Sequence, residues 1–150
     1  MILVVDASVA VKWTLPEASS EAHTEEALAV LATIRSGRAT FVQPPHWLLE
    51  VAAVVVRLRP HFVDEALALL DLLRVSIAHE AHVLRRATEL ARELDHHLFD
   101  TLYHAVALEH DGLLVTADGR YARKAAHLGS IVELRHWRAP IAGEWPGGVQ

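Results

Sequence analysis

Apolar residues along this chain fall into two recurring patterns, short unbroken runs and longer stripes at helical spacing. The first run, Ile2–Val5, holds only branched apolar residues without alternation, so both faces of this segment must be buried. Strands buried on both faces are typical of parallel sheets covered by helices. The runs that predict strands are Ile2–Val5, Ala39–Val42, Val75–Ile77, Leu113–Val115 and Ile131–Val132.

The longer stripes predict helices between these strands. From Glu80 to Leu94, apolar residues recur three and four positions apart, which indicates an amphipathic helix. The segment His46–Leu58 is apolar nearly all round and could also hold a strand at Val54–Val56, but its length and the two prolines before it favour a helix. The predicted helices are Ala7–Trp13, Ser20–Arg35, His46–Leu58, Phe62–Leu73, Glu80–Leu94, Phe99–Glu109 and Asp118–Leu128.

The alternation of short strands with helices predicts a fold of the α/β class, with a short parallel sheet flanked by helices on both faces. A chain of 150 residues is long enough for one domain with a substantial core. We expect this domain to span residues 1–138. Residues 139–150, which contain several glycines and prolines, are predicted to form a loose tail.

Composition narrows the class of protein. Hydrophobic residues make up 52% of the chain, which argues against disorder, and no apolar run approaches the roughly 18 residues of a membrane span. There is no signal-peptide pattern and no cysteine, so we expect a cytoplasmic protein without disulfides or thiolate metal sites. The net charge of −5 provides no global positive field for nucleic acid, although a local basic patch is not excluded.

Four carboxylates lie inside otherwise apolar sequence: Asp6, Glu50, Asp100 and Asp118. A buried carboxylate is costly unless it is paired or bound to a metal, and no Lys or Arg stands beside each of them. Asp6 and Asp118 follow predicted strands, whose carboxyl ends meet at one edge of a parallel sheet. Taken singly, Asp6 and Asp118 could be helix N-caps, and Asp100 could favour a helix N-terminus. Glu50 could face solvent.

Taken together, the four acids indicate a cation site. Two carboxylates about 4 Å apart repel each other by roughly 4 kcal/mol at an effective dielectric constant near 20, so such a cluster requires cations. An oxygen-only cluster that retains water suits Mg²⁺ or Mn²⁺. Sites of this kind activate water, most often against phosphate esters.

The segments around these acids resemble one known family. They are Val4–Val9, the apolar helix around Glu50, Phe99–Ala107 (FDTLYHAVA) and Leu114–Arg120 (LVTADGR). Their sequences and order resemble the PIN-domain family and, more closely, the VapC-type toxins of bacterial toxin–antitoxin pairs. The resemblance covers residues 1 to about 138.

The resemblance implies a divalent-metal-dependent ribonuclease with Asp6, Glu50, Asp100 and Asp118 as its catalytic, metal-binding acids. We expect Asp6 and Asp100 to bind Mg²⁺ or Mn²⁺ directly, and the other two acids to bind directly or through water. The expected reaction is in-line hydrolysis of RNA phosphodiester bonds. No side chain stands out as a nucleophile, which suits attack by a metal-bound water.

Two hydroxyl residues and two kinds of partner also follow from the resemblance. Ser8 and Thr116 match the small hydroxyl positions beside the first and last acids. Helix capping by Ser8 and a strand-end hydrogen bond from Thr116 are equally open interpretations. The family further implies a homodimer and a small VapB-like antitoxin, which docks across a helical groove and blocks the site.

Several other residues have a functional and a structural interpretation. His96, Asp100 and His104 share a helical spacing that could bind Zn²⁺, although surface or supporting histidines are more common. Arg120, Arg123, Lys124 and, more weakly, Lys12 could hold substrate phosphates or form solvated surface. The aromatic residues that could stack RNA bases or simply pack in the core are Trp13, Trp47 and Tyr103.

Rival functions remain open on this sequence. A nuclease of the same fold could act on DNA or in RNA processing without an antitoxin. A catalytically silent binding module on the same scaffold would have little need of four costly carboxylates. A phosphoacceptor domain would require a second acid beside Asp6, and a phosphatase of the Asp-x-Asp type is excluded by the sequence Asp6-Ala7-Ser8.

Overall fold

The computed structural model of the protein describes residues 1–15 and 22–140. The described residues form one sheet of five parallel strands in the order β3-β2-β1-β4-β5. The strands are β1 (Ile2–Val5), β2 (Thr40–Gln43), β3 (Val75–Ile77), β4 (Leu113–Thr116) and β5 (Ile131–Glu133). All five predicted strands are confirmed, and the predicted α/β class with a parallel sheet is confirmed with them.

Seven α-helices connect these strands within the described ranges. They are α1 (Ala7–Thr14), α2 (Thr24–Arg35), α3 (Trp47–Leu58), α4 (Val63–Asp71), α5 (Ala81–Glu93), α6 (Leu98–Glu109) and α7 (Gly119–Ala125). Because parallel crossovers are right-handed, the helices after β1 and β2 cover one face of the sheet, and those after β3 and β4 cover the other.

The helix boundaries differ from the predicted ones by a few residues. The predicted helix Phe62–Leu73 is shorter in the structure, where α4 spans Val63–Asp71. Phe62 belongs instead to a separate 3-10 turn that begins at Pro60. The predicted helix Asp118–Leu128 is an α-helix only to Ala125 and finishes as a 3-10 turn. The predicted start of α2 at Ser20 lies outside the described residues, as does the predicted tail beyond residue 140.

The core lies around the central strand. Leu3, Val4 and Val5 are fully buried, as their unbroken apolar run predicts. On α5, Val83, Ala87 and Leu90 form the buried stripe, which confirms the amphipathic helix. None of the helices in the described part of the chain is long and apolar enough to cross a membrane.

Strand order places a topological switch point between β1 and β4. From β1 the chain builds the sheet outward through β2 and β3, and it then returns to add β4 on the opposite side of β1. Ligand sites in such sheets lie in the crevice beyond the carboxyl ends of the two strands at this point. Asp6 follows β1 directly, and Asp118 follows β4 after one intervening residue.

Candidate active site

Asp6 is fixed at the corner between β1 and α1. It is the N-cap of α1, and its carboxylate accepts hydrogen bonds from the Ser8 backbone N–H (3.4 Å) and the Ser8 hydroxyl (3.0 Å). The N-cap interpretation is therefore correct for this residue. Capping does not consume the carboxylate, which still lines the groove described below.

Two hydroxyl groups join this corner to the corner between β4 and α7. Thr116 donates its hydroxyl to Asp6 Oδ2 over 2.6 Å and accepts the Asp118 N–H over 3.0 Å. The Ser8 hydroxyl accepts the Ala117 N–H over 3.2 Å. The strand-end hydrogen bond predicted for Thr116 thus has the Asp6 carboxylate as its acceptor, and it places Asp6 and Asp118 in one network.

Asp118 is the N-cap of α7. Its Oδ1 accepts the Tyr121 N–H over 2.9 Å, as expected for an Asp before a helix. The same carboxylate lies close enough to Asp100 for its charge to contribute to a raised pKa of Asp100. Asp118 therefore serves a structural role and belongs to the acidic cluster.

Glu50 projects from the first turn of α3 towards α6. The Tyr103 hydroxyl donates to Glu50 Oε2 over 2.6 Å, and His46 Nε2 lies 3.4 Å from the same oxygen. Burial acts to raise the pKa of Glu50, but hydrogen bonds from His46 and Tyr103 and the charge of His46 lower it below its ordinary value. Glu50 is therefore partnered rather than simply solvated.

Asp100 lies in the first turn of α6, with His96 one turn before it. His96 Nε2 is 3.0 Å from Asp100 Oδ2, an ion-pair distance without the alignment of a hydrogen bond. The His96 ring packs against Tyr121, with ring centroids 4.7 Å apart. This histidine takes the place of the Lys or Arg that the sequence does not offer.

The electrostatics of the site reflect crowding of like charges. Burial raises the pKa of Asp6, hydrogen bonds from Thr116 and Ser8 partly offset it, and the charge of Asp100 adds to it. Burial also raises the pKa of Asp100, which His96 opposes and the charges of Glu50 and Asp118 reinforce. Asp100 therefore interacts with each of the other three acids, and a cation among them would relieve this repulsion.

A groove of about 630 Å³ lies beside this cluster, between α1 and α3. Its walls combine acidic, hydroxyl, basic and small apolar side chains. They are Asp6, Ala7, Ser8, Val11, Lys12, Ala22, Glu50, Ala53, Val54 and Ala117. The groove is open to solvent, and Asp6 and Glu50 are the two acids of the cluster that line it.

The donor set fits a hard divalent cation by its chemistry, since it consists of carboxylate oxygens with hydroxyl groups beside them. Its geometry is more open than a closed coordination shell. Within residues 1–15 and 22–140, no three His, Asp or Glu side chains converge closely enough to hold a metal ion. Mg²⁺ binding through a few carboxylates and retained water is compatible with this spacing.

The zinc interpretation is wrong, because both ring nitrogens of His104 have hydrogen-bond partners outside the acidic cluster. His104 is fully buried, donates Nε2–H to the Gly129 carbonyl (2.8 Å) and accepts the Tyr121 hydroxyl at Nδ1 (3.1 Å). The carbonyl can only accept, which assigns the proton to Nε2 and leaves neither nitrogen for a metal.

The basic candidates have different surroundings. Arg120 is exposed next to Asp118, whereas Lys124 donates to the Asp95 carbonyl over 2.9 Å and so links α7 to the turn before α6. Lys12 lines the groove. Arg123 lies in the last turn of α7, and its contact with substrate phosphates stays a prediction.

The aromatic candidates belong to the core. Trp13, Trp47 and Tyr103 are 7%, 3% and 1% exposed, which leaves no ring face open to an RNA base. Trp13 also donates its indole N–H to the Ala27 carbonyl over 2.8 Å. Core packing is therefore the correct interpretation of all three, and base stacking by them is wrong.

Two residues of the site were missed by the sequence interpretation. His46 stands one turn before Glu50, the spacing that His96 has before Asp100, so a search for histidine four residues before each acid would have found it. The buried Gln43 side chain bonds to both the N–H (2.9 Å) and the carbonyl (2.7 Å) of Val5, directly before Asp6. In the sequence, the only sign of this role of Gln43 is that a single amide side chain ends an apolar strand.

Comparison with known proteins agrees with this geometry. No curated protein matches the chain. The family model of the PIN domain matches residues 3–127, a range that contains all four acids and the strands on both sides of the switch point. The chain belongs to the PIN-domain family.

Proposed function

We propose that this protein is an Mg²⁺- or Mn²⁺-dependent endoribonuclease of the cytoplasm, and that it is the VapC-type toxin of a toxin–antitoxin pair. The observation that carries the proposal is that Asp100 interacts electrostatically with Asp6, Glu50 and Asp118 near the β1–β4 switch point, beside an open groove. PIN domains are generally nucleases that use divalent metal ions. The likeness of its four motifs to VapC-type toxins supports the toxin assignment.

The roles proposed for the four acids in metal binding differ because their surroundings differ. Asp6 and Asp100, whose burial disfavours their charged forms, gain most from a cation and are the proposed direct ligands. Glu50 and Asp118 bind directly or through water. A bound divalent ion supplies Lewis acidity and neutralises charge on the scissile phosphate. Ser8 and Thr116 hold Asp6 in place during this reaction through the hydrogen bonds already described.

The groove is the proposed path of the RNA strand. Lys12 lies in its wall and Arg120 stands exposed beside Asp118, so both can contact phosphates on either side of the cleaved bond. The overall charge of −5 makes local contacts of this kind the main source of electrostatic attraction. Lys124 is a further candidate, and a phosphate contact from it would compete with its bond to the Asp95 carbonyl.

An apolar surface next to the groove supports the proposed protein partners. Leu49 and Val56 on α3 are 73% and 53% exposed, and Phe99 on α6 is 59% exposed. Burial of this surface in a homodimer or under a VapB-like antitoxin would account for the apolar excess of α3. Sedimentation equilibrium of the wild type and of Val56→Lys tests the dimer: the substitution should shift the mass towards one chain.

The alternative function is a catalytically silent module that binds RNA or protein on the same scaffold. The open spacing of the carboxylates favours it, because no three of the described His, Asp or Glu side chains converge on one point. A processing nuclease without an antitoxin is the rival within enzymes. A small gene directly upstream would favour the toxin.

The test is cleavage of a panel of structured RNAs by purified protein with Mn²⁺ or Mg²⁺, with and without EDTA. Asp100→Asn is the active-site variant. Asp111→Asn is its matched control, since Asp111 is exposed in a turn with φ of 50°, a conformation that Asn readily adopts.

We expect metal-dependent cleavage that Asp111→Asn retains. Asp100→Asn should lose more than the roughly 10–100-fold that removal of a residue supporting a metal ligand costs. Full activity of Asp100→Asn, or cleavage that survives EDTA, would overturn the mechanism. Absence of both cleavage and Mn²⁺ binding would leave the silent module as the better description.

A further inference from the structure

Tyr103 on α6 is a buried side chain that forms a hydrogen bond with Glu50 on α3. Its ring is 1% exposed, and its hydroxyl lies 2.6 Å from Glu50 Oε2. The second contact to this oxygen comes from His46 Nε2, at 3.4 Å. His46 is itself held by the Phe99 carbonyl (3.0 Å) and packs against the Tyr103 ring, with centroids 4.8 Å apart.

The direction of the hydrogen bond between Tyr103 and Glu50 follows from the chemistry of the two groups. A carboxylate can only accept, so the phenol donates its single proton to Glu50. Burial, reinforced by the hydrogen bond to Glu50 and by its charge, raises the pKa of Tyr103 far above its ordinary value. The phenol is therefore the donor of this bond, and Glu50 Oε2 is its acceptor.

The same helix also carries Asp100, three residues before Tyr103. Residues three apart share a helix face, so α6 contributes one acid directly and reaches a second acid through the phenol. Neither the Tyr103 nor the His46 contact involves Glu50 Oε1. These contacts therefore restrict the rotation of the Glu50 carboxylate through one of its two oxygens.

We propose that Tyr103 is a positioning residue that holds Glu50 by Oε2 and so orients this carboxylate for the divalent ion that it would help to bind. This inference rests on the proposed function, and it explains why a hydroxyl is present where core packing alone would be satisfied by Phe. Partners of this kind typically change metal affinity or activity 10–100-fold when removed.

The test compares Tyr103→Phe with Thr33→Val. Both replacements remove one buried hydroxyl and keep the shape of the side chain, but Thr33 bonds to the Ala29 carbonyl within α2, outside the acidic cluster. Mn²⁺ affinity is measured by calorimetric titration, RNA cleavage is separated into kcat and KM, and stability is measured by urea unfolding. Glu50→Gln and the double variant Tyr103→Phe/Glu50→Gln complete a cycle.

We expect Tyr103→Phe to weaken Mn²⁺ binding about tenfold or more and to lower kcat more than it raises KM. Thr33→Val should lose stability only. In the Glu50→Gln background, Tyr103→Phe should have no further effect on Mn²⁺ affinity. Wild-type Mn²⁺ affinity in a folded Tyr103→Phe variant, or equal losses in both backgrounds, would overturn the positioning role while leaving the nuclease proposal intact. A wild type that neither binds Mn²⁺ nor cleaves RNA would overturn both.

Discussion

Thr116 and Asp6 are 110 residues apart in sequence, yet the hydroxyl of the first lies 2.6 Å from the carboxylate of the second. The bond crosses the crevice between the carboxyl ends of β4 and β1. Because the Thr116 oxygen also accepts the Asp118 N–H, one side chain sets the spacing between two of the four acids. A change at Thr116 therefore tests the site without removing any carboxylate.

Replacing Thr116 by Val should shift the acid limb of the pH–activity profile to higher pH. The hydroxyl stabilises the ionised form of Asp6 and so opposes the rise in pKa that burial causes. Without the hydroxyl, the pKa of Asp6 rises further, and Asp6 is protonated at a higher pH than in the wild type. The measurement is log kcat/KM against pH with Mn²⁺. Thr88→Val, at an exposed hydroxyl of α5, is the control and should leave the profile in place.

Gln43→Leu should destabilise the protein by about 2 kcal/mol or more, because each buried polar group left without a partner costs roughly 1–3 kcal/mol. The Gln43 side chain satisfies both the N–H and the carbonyl of Val5, where the backbone ladder between β1 and β2 ends. Urea unfolding measures the loss. A Gln43→Leu variant as stable as the wild type would show that these groups find other partners.

Below pH 6.5 the free energy of unfolding should fall in part because of His104. Burial lowers the pKa of this histidine below its ordinary 6.5, so the unfolded chain binds a proton that the folded chain resists. Stability from this group is complete above pH 6.5 and is lost as the pH falls towards the folded-state pKa.

Urea unfolding at pH 7.5 and 5.5 measures this dependence. His104→Gln should lower stability at pH 7.5 but reduce the further loss at pH 5.5. His61→Gln, at an exposed histidine beside α4, should behave like the wild type. If His104→Gln and the wild type lose the same stability between the two pH values, His104 does not contribute to the acid sensitivity.

Arg120→Ala should weaken RNA binding and flatten its salt dependence. One lost phosphate contact reduces the slope of log K against log salt concentration by about 0.7–1. Arg74→Ala is the matched control, because Arg74 is also exposed but precedes β3 and lies at the opposite edge of the sheet. Filter binding without added metal ion, in the presence of EDTA, measures both variants. Equal slopes for both variants and the wild type would exclude Arg120 from the RNA path.

The fold was largely predictable because its signals are local. The unbroken run at Ile2–Val5 and the stripe on α5 are properties of adjacent residues, and both predictions are confirmed. Helix ends were less predictable: nothing in the segment around Leu128 distinguishes a 3-10 turn from a further turn of α-helix. Such choices depend on tertiary packing.

The candidate site was predictable in its acids but not in their partners. A carboxylate inside apolar sequence is visible in a single segment, whereas the hydroxyl of Tyr103 reaches Glu50 across 53 residues. His104 illustrates the opposite error, since its helical spacing to Asp100 is correct but its ring points into the core. Sequence spacing predicts which residues share a face of a helix. What that face packs against depends on the neighbouring elements, which the spacing does not predict.

The central place of β1 has a consequence for the order in which the protein can be made. During synthesis β2 and β3 emerge soon after β1 and can pair along one side of it, but β4 follows only after residue 112. Until β4 pairs with it, the other side of β1 is an unpaired strand edge in an apolar segment, and the acidic cluster lacks Asp118. Over this interval the growing chain has an unpaired strand edge, which favours aggregation, and this exposure ends when β4 pairs with β1.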